Sequence, residues 1–300
     1  MATEGNEFVA ASGRAETAGP GRIRWWQWPT ILSLDAPVVA VLWQWMIAHA
    51  ARVEPGGPQA WVLGASVWLA YAADRWIEAW RLHPDRIQTV RHRFYQGARW
   101  PVAAIWAAVF CADLFEAFAR LSNPELLAGS LLLVPVLLYL LSHQFVHRHR
   151  RWRAPKELCV AALLGGGVAV FVLGRPGADR SSLALPLGLF VLLCFANCVL
   201  ISGWEYEVDR SHGQTSLALK FRHAATLGRT LSWILAALSC LAALAIPDTG
   251  RTALGCAAVA AGLLGIVDLA EKRLGWQLAR VLADVALMTP AIPLAAAWMR

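Results

Sequence analysis

Charge is what this chain is short of. Asp, Glu, Lys and Arg make up 16% of its 300 residues, against 58% hydrophobic, and the mean hydropathy is +0.48. Water-solvated domains carry nearer a quarter of charged residues, so a soluble enzyme or binding module is excluded as the leading reading. The start of the chain has no apolar core of the kind a signal peptide needs: residues 1–24 are rich in Gly, Ala, Ser and Glu and are expected to form a disordered cytosolic tail. Closely spaced chelating sets are missing too. The six cysteines, Cys111, Cys159, Cys194, Cys198, Cys240 and Cys256, all lie in apolar runs away from histidine, which argues against zinc or dithiol chemistry. Cys194 and Cys198 share a helical face and read as packing residues.

What the sequence has in quantity is apolar length. Mostly apolar runs of about 17 to 22 residues occur nine times, near 31–51, 60–80, 100–119, 126–146, 157–174, 183–203, 227–246, 252–270 and 278–298. Backbone groups cannot stay unpaired in hydrocarbon, so each run is expected to be α-helical. The fold class is all-α: a polytopic membrane protein of about nine transmembrane helices in a single domain, 31–300. Ahead of it, residues 1–30 form the tail and an interfacial anchor, with Trp25, Trp26, Trp28 and Arg24 just before the first run. Cytosolic connections should hold the Lys and Arg excess. With the amino terminus inside, 21 of the 27 fall in the tail and in the connections after segments 2, 4, 6 and 8. The others, Arg52, Arg120, Arg175, Arg180, Arg251 and Arg300, fall in short external loops and at an external carboxyl terminus. The net charge of +7 then follows from topology and calls for no nucleic-acid partner.

Two acidic pairs stand at the ends of such runs: Asp74 with Glu78 closing the second, Glu205 with Asp209 closing the sixth. Both segments are even-numbered, so the four carboxylates share one depth at the cytosolic boundary. Spacing by four puts each pair on one helical face, where like charges oppose helix formation by about 0.2–0.5 kcal/mol. A cation between them reverses that sign. Magnesium suits, because it takes oxygen ligands and is usually held by one or two carboxylates plus substrate phosphates. The bland alternative is that each acid pairs with Arg75, Arg81 or Arg210, as ordinary boundary charges do.

The run Glu205-Tyr206-Glu207-Val208-Asp209-Arg210-Ser211-His212-Gly213-Gln214-Thr215-Ser216-Leu217-Ala218 resembles the second signature of the UbiA superfamily of intramembrane prenyltransferases: acid, three residues, acid, three residues, Gly, two residues, Ser, then small apolar residues. Asp74 and Glu78 match the acids of its first signature, with Ala70 standing where the family has Asn. Glu78 and Glu205 replace family aspartates. Thr89-Val90-Arg91-His92 echoes the family's threonine and arginine segment, and Arg148 to Lys156 stands where the family has a basic, diphosphate-contacting stretch.

The resemblance implies helices around a central cavity open to lipid, and magnesium-dependent transfer of a prenyl group from an allylic prenyl diphosphate to a lipophilic acceptor in the bilayer. It implies Asp74, Glu78, Glu205 and Asp209 as metal-holding catalytic residues, and Arg91, Arg153 and Lys156 as diphosphate ligands. Charge developing on the leaving diphosphate needs such cations. A silent relative, or a transporter or lipid-binding protein using the same acids, is the competing expectation.

Other residues weigh less. Trp43, Trp68 and Tyr139 could line the cavity, but ordinary packing is the first expectation for each. His143 and His147 share a face without an evident third ligand. Asp284, four residues after Arg280, reads as half of a structural ion pair. Asn197 is expected either to bond between helices or to face the cavity.

Overall fold

The computed structural model describes residues 23–54, 56–81, 89–142, 155–175, 177–246 and 249–299, and no strand occurs among them. Within the described residues, every expected apolar run folds as a helix or a bent pair of helices. The first is Trp25–Gln27 with α1 (Trp28–Ile31), followed by α2 (Asp35–Ala50). Then come α3 (Gly57–Arg81), a short α4 (Val90–Gly97), α5 (Arg99–Arg120), α6 (Asn123–Leu141), α7 (Lys156–Leu173) and α8 (Arg180–Trp204). Two short helices, α9 (Tyr206–Ser211) and α10 (Leu217–Lys220), precede α11 (Ala224–Ala245), α12 (Thr249–Leu274), α13 (Trp276–Ala286) and α14 (Ala291–Trp298).

Local chemistry sets several of the ends. Ser122 and Glu125 form a capping box that opens α6, Glu125 accepting from the Ser122 N–H at 2.9 Å. The Asp179 carboxylate caps α8 by accepting from the Ser181 and Ser182 N–H groups. Trp25–Ile31 meets α2 at 75°, where Ser33 takes a positive φ of 57° and its hydroxyl bonds that of Tyr95 at 2.9 Å. The α13 to α14 bend is 49° and contains Pro290, which has no N–H to continue a helix.

Six helices among the described residues are long and apolar enough to cross a membrane, or up to eight if each bent pair is one span. The chain is thus a multi-pass membrane protein. The expected count of nine is not reached by this measure, because α3 is diluted by Asp74, Arg75, Glu78 and Arg81 although it runs 25 residues. The centre of the bundle is built by α2, α7, α8, α12 and α13. There Trp43 is fully buried, stacks on Phe190 at 4.7 Å and donates its indole N–H to the Leu287 carbonyl at 2.8 Å, so it packs rather than lining a cavity. Peripheral α5 and α6 instead present Phe115, Phe118, Leu127, Leu131 and Leu138 outward, as lipid contact requires.

The two ends of the bundle differ in chemistry. At one, the Asp179 N–H reaches the Ala51 carbonyl at 3.1 Å, and Glu125 joins Gln59 at 2.8 Å and Arg175 at 3.9 Å. The other end gathers the carboxyl ends of α3 and α8, the amino ends of α7 and α13, and α4 and α9.

Candidate functional site

The second acidic pair straddles a break. α8 ends at Trp204, Glu205 caps it, and α9 carries Asp209. A backbone bond from the Asp209 N–H to the Glu205 carbonyl at 2.8 Å nevertheless keeps the helical spacing across the break. Gly213 then turns the chain at φ +66°, a conformation that favours glycine, and the Gln214 N–H returns to the Asp209 carbonyl at 2.9 Å. Ser216, expected as the signature serine, is 1% exposed, and its hydroxyl has no partner among the described residues. The Glu157 carboxylate accepts from the Leu217 N–H at 2.7 Å and pins the far end of the signature to α7.

Glu205 is clamped by two arginines. Arg91 from α4 donates from both terminal nitrogens, at 3.3 and 3.1 Å, and Arg280 from α13 donates at 2.5 Å. Burial alone would raise the Glu205 carboxyl, but Arg280 and Arg91 outweigh it and hold the group well below the usual carboxylate range. Arg91 moves down as well, to about 10, where an isolated ion pair would move it up. Burial is the main cause, and the nearby Arg280 and Arg75 charges add to it against Glu205. A fourth group ties this layer together: the Tyr71 hydroxyl accepts from Arg75 at 2.7 Å and from Arg280 at 3.4 Å.

The first pair lies alongside. Glu78 meets the His92 imidazole at 3.3 Å, and the other ring nitrogen contacts the Thr89 hydroxyl at 2.5 Å. Thr89 also caps α4 by accepting from the His92 N–H. Burial holds His92 down at about 4, against the upward pull of Glu78, so the imidazole is neutral near pH 7. Lys156 lies 3.9 Å from Asp209 and donates to Gln214 at 3.4 Å, and it feels the charges of Asp209, Glu78, Glu157 and Asp74. The structure therefore brings both acidic pairs together with Arg91 and Lys156. Arg153 lies outside the described residues, as do His143 and His147.

Four acids, Asp74, Glu78, Glu205 and Asp209, are thus accompanied by four fixed cations, Arg75, Arg91, Lys156 and Arg280. Among the described residues no three His, Cys, Asp or Glu side chains gather closely enough to hold a metal ion. Glu205, expected from the sequence as a metal-holding acid, faces two guanidinium groups, Arg91 and Arg280, whose positive charges would oppose an ion placed between them. Asp74, Glu78 and Asp209 remain as hard oxygen donors suited to magnesium.

Two participants were not among the residues expected at the site. Arg280, expected to pair with Asp284, reaches across to Glu205 instead, and Asp284 accepts from Asn197 at 3.1 Å. Tyr71 carried a weak signal, lying three residues before Asp74 and so on a neighbouring helical face.

No protein-family model matches this chain. No curated protein matches it either. The apo structure of a UbiA homolog from Aeropyrum pernix K1 does, with a TM-score of 0.59 at 17% identity over 88% of this chain and 98% of that one. Sequence divergence is therefore large while the path of the backbone is shared, and the chain has the UbiA fold.

Proposed function

We propose that this chain is an intramembrane prenyltransferase, moving a prenyl group from an allylic prenyl diphosphate to a lipophilic acceptor, such as an aromatic quinone precursor, in a magnesium-dependent reaction. One observation carries this reading. On a UbiA-like fold, helix ends from α3, α4, α7, α8 and α13 converge into one cluster of acids and cations at a single end of an apolar bundle. That arrangement suits a substrate with a polar diphosphate head and a hydrocarbon tail. The Lys and Arg distribution puts this end toward the cytosol.

Asp74, Glu78 and Asp209 would hold magnesium, which when bound neutralises charge accumulating on diphosphate as the carbon–oxygen bond breaks. Arg91, Lys156 and Arg153 donate charge-assisted hydrogen bonds to the phosphate oxygens. Arg280 adds a further donor from α13. Glu205 acts on these arginines, fixing Arg91 and Arg280 in place rather than binding an ion. A catalytically silent relative is the second reading, and the same clamp favours it by shrinking the donor set.

The test uses purified full-length protein with labelled farnesyl, geranylgeranyl and longer diphosphates, with and without magnesium, against a panel of acceptors. Diphosphate at about 100 times its Kd should stabilise the fold by about 2.7 kcal/mol. Asp74→Asn and Asp209→Asn should each remove most of the transfer. Stabilisation without transfer on any acceptor supports the silent relative. No stabilisation in any metal condition defeats the transferase reading.

A further inference from the structure

Arg75, near the end of α3, is a buried cation whose hydrogen-bond partner carries no charge. It is 9% exposed, and its one hydrogen bond to a described residue runs from Nη2 to the Tyr71 hydroxyl at 2.7 Å. The guanidinium also lies over the Tyr71 ring, 4.7 Å from its centroid. The same hydroxyl accepts from Arg280 at 3.4 Å, and Arg280 shares Glu205 with Arg91. Tyr71 and Glu205 thus join three guanidinium groups into one layer.

That layer is not neutral. Arg75, Arg91 and Arg280 are all at most 9% exposed, and among the described residues Glu205 is the only carboxylate within 4 Å of any of them. Three positive charges against one negative leave an excess of two. Neighbouring acids are engaged elsewhere: Glu78 meets His92 at 3.3 Å, Asp209 lies 3.9 Å from Lys156, and Asp284 accepts from Asn197 at 3.1 Å. Donors are left over as well. Nε of Arg91 and Nε of Arg280 are buried without an acceptor among the described residues. Excess positive charge and unmet N–H groups are both costly when buried, and one anion with several oxygens relieves both.

We propose that Arg75, Arg91 and Arg280, bridged by Tyr71, form a seat for one phosphate group that needs no metal ion, and that one end of the prenyl diphosphate occupies it. The identity of this occupant rests on the transferase reading above, whereas the seat does not. Phosphate oxygens match the forked donors of guanidinium groups. A neutral hydroxyl would leave the excess charge in place, and an ammonium group would add to it. Tyr71 is a positioning residue here, since it holds Arg75 and Arg280 on one oxygen. Asp74, Glu78 and Asp209 are left for the phosphate that takes magnesium.

Heat protection of the full-length protein in EDTA tests this, with inorganic phosphate and geranylgeranyl monophosphate as probes and chloride at matched ionic strength as the control. Both probes should raise the thermal midpoint of the wild type, the lipid monophosphate at the lower concentration. Tyr71→Phe keeps the ring under Arg75 and removes the shared oxygen, while Arg75→Gln removes one charge. Each should weaken phosphate binding about 10-fold, the scale of one hydrogen bond to a charged group. Arg175→Gln, at the opposite end of the bundle, should leave it unchanged. Absence of protection in EDTA, or wild-type affinity in both Tyr71→Phe and Arg75→Gln, would overturn the seat. Protection by inorganic phosphate alone would overturn the assigned occupant. If diphosphate protects with magnesium and no phosphate protects without it, the seat fails and the transferase reading stands. If both probes protect in EDTA and the protein transfers to no acceptor, the seat stands and the transferase reading fails.

Discussion

Glu205 stands between Arg91 and Arg280, and all three side chains are at most 10% exposed. Removing one member of such a buried set leaves uncompensated charge, which costs about 3–5 kcal/mol. Glu205→Gln should therefore lower the thermal midpoint, and added pyrophosphate should restore more stability to the variant than to the wild type, because it returns an anion to the two arginines. Equal rescue of both proteins would show that Glu205 does not hold the arginines in waiting. His92 gives a pH prediction. Its folded value of about 4 lies below the unfolded 6.5, so the unfolded chain binds more protons between those values and stability rises with pH across that window. Up to about 3 kcal/mol, fully present above pH 6.5, should be lost as pH falls to 4. Denaturant titrations of wild type and His92→Gln at a series of pH values would check it, the variant having the shallower slope. At this scale the sequence offered the acids by their spacing of four, and Arg91 only by resemblance to a family segment. It could not show that Arg280, 75 residues away, meets Glu205, since no local period encodes a contact made by docking α13 against α8.

Helices were more legible than their interruptions. The run expected near 100–119 is Arg99–Arg120, and that near 157–174 is Lys156–Leu173, because apolar length in lipid has one backbone solution. The 31–51 run is broken at Ser33, whose left-handed backbone no hydropathy window registers. Short α4, α9 and α10 also escaped, lying in polar connections without an apolar period. These are the elements that carry Arg91 and Asp209, so the parts least visible in the sequence aim the site. How firmly they are held depends on α8, which packs closely on α11 at Gly228. A β-carbon there would meet Leu200 at 3.0 and 3.1 Å and Val199 at 3.2 Å. Gly228→Val should push the helices apart and cost about 1–3 kcal/mol, seen as a lower thermal midpoint with reduced transfer, while Gly188→Val on the same α8, where nothing lies near the added carbon, should change little. Equal midpoints for the two variants would show that this approach does not fix α8.

For the molecule as a whole, the deciding question is whether α3 crosses the membrane. It fails a hydropathy test, yet its 25 residues span about 37 Å, more than the roughly 30 Å of a bilayer core. Its two ends also meet opposite partners. Gln59 near its start bonds Glu125 at the opening of α6, beside Arg175 after α7, whereas Glu78 near its end meets His92 and the charge of Lys156 at the opening of α7. α7 thus runs between the same two faces in the reverse sense, and a chain in which α7 crosses and α3 does not would have to fold its acids back through hydrocarbon. With α3 included and each bent pair counted as one span, the crossings would be odd in number and the two termini would lie on opposite sides. The Lys and Arg excess leads one to expect the amino end and the acidic cluster in the cytosol. A fluorescent protein fused ahead of residue 23 should light up, and alkaline phosphatase fused after residue 299 should be active outside. Both ends reporting the cytosol would mean an even count, with α3 the first candidate for a segment that enters and does not cross; the cluster would then lose the shared depth on which a diphosphate site depends.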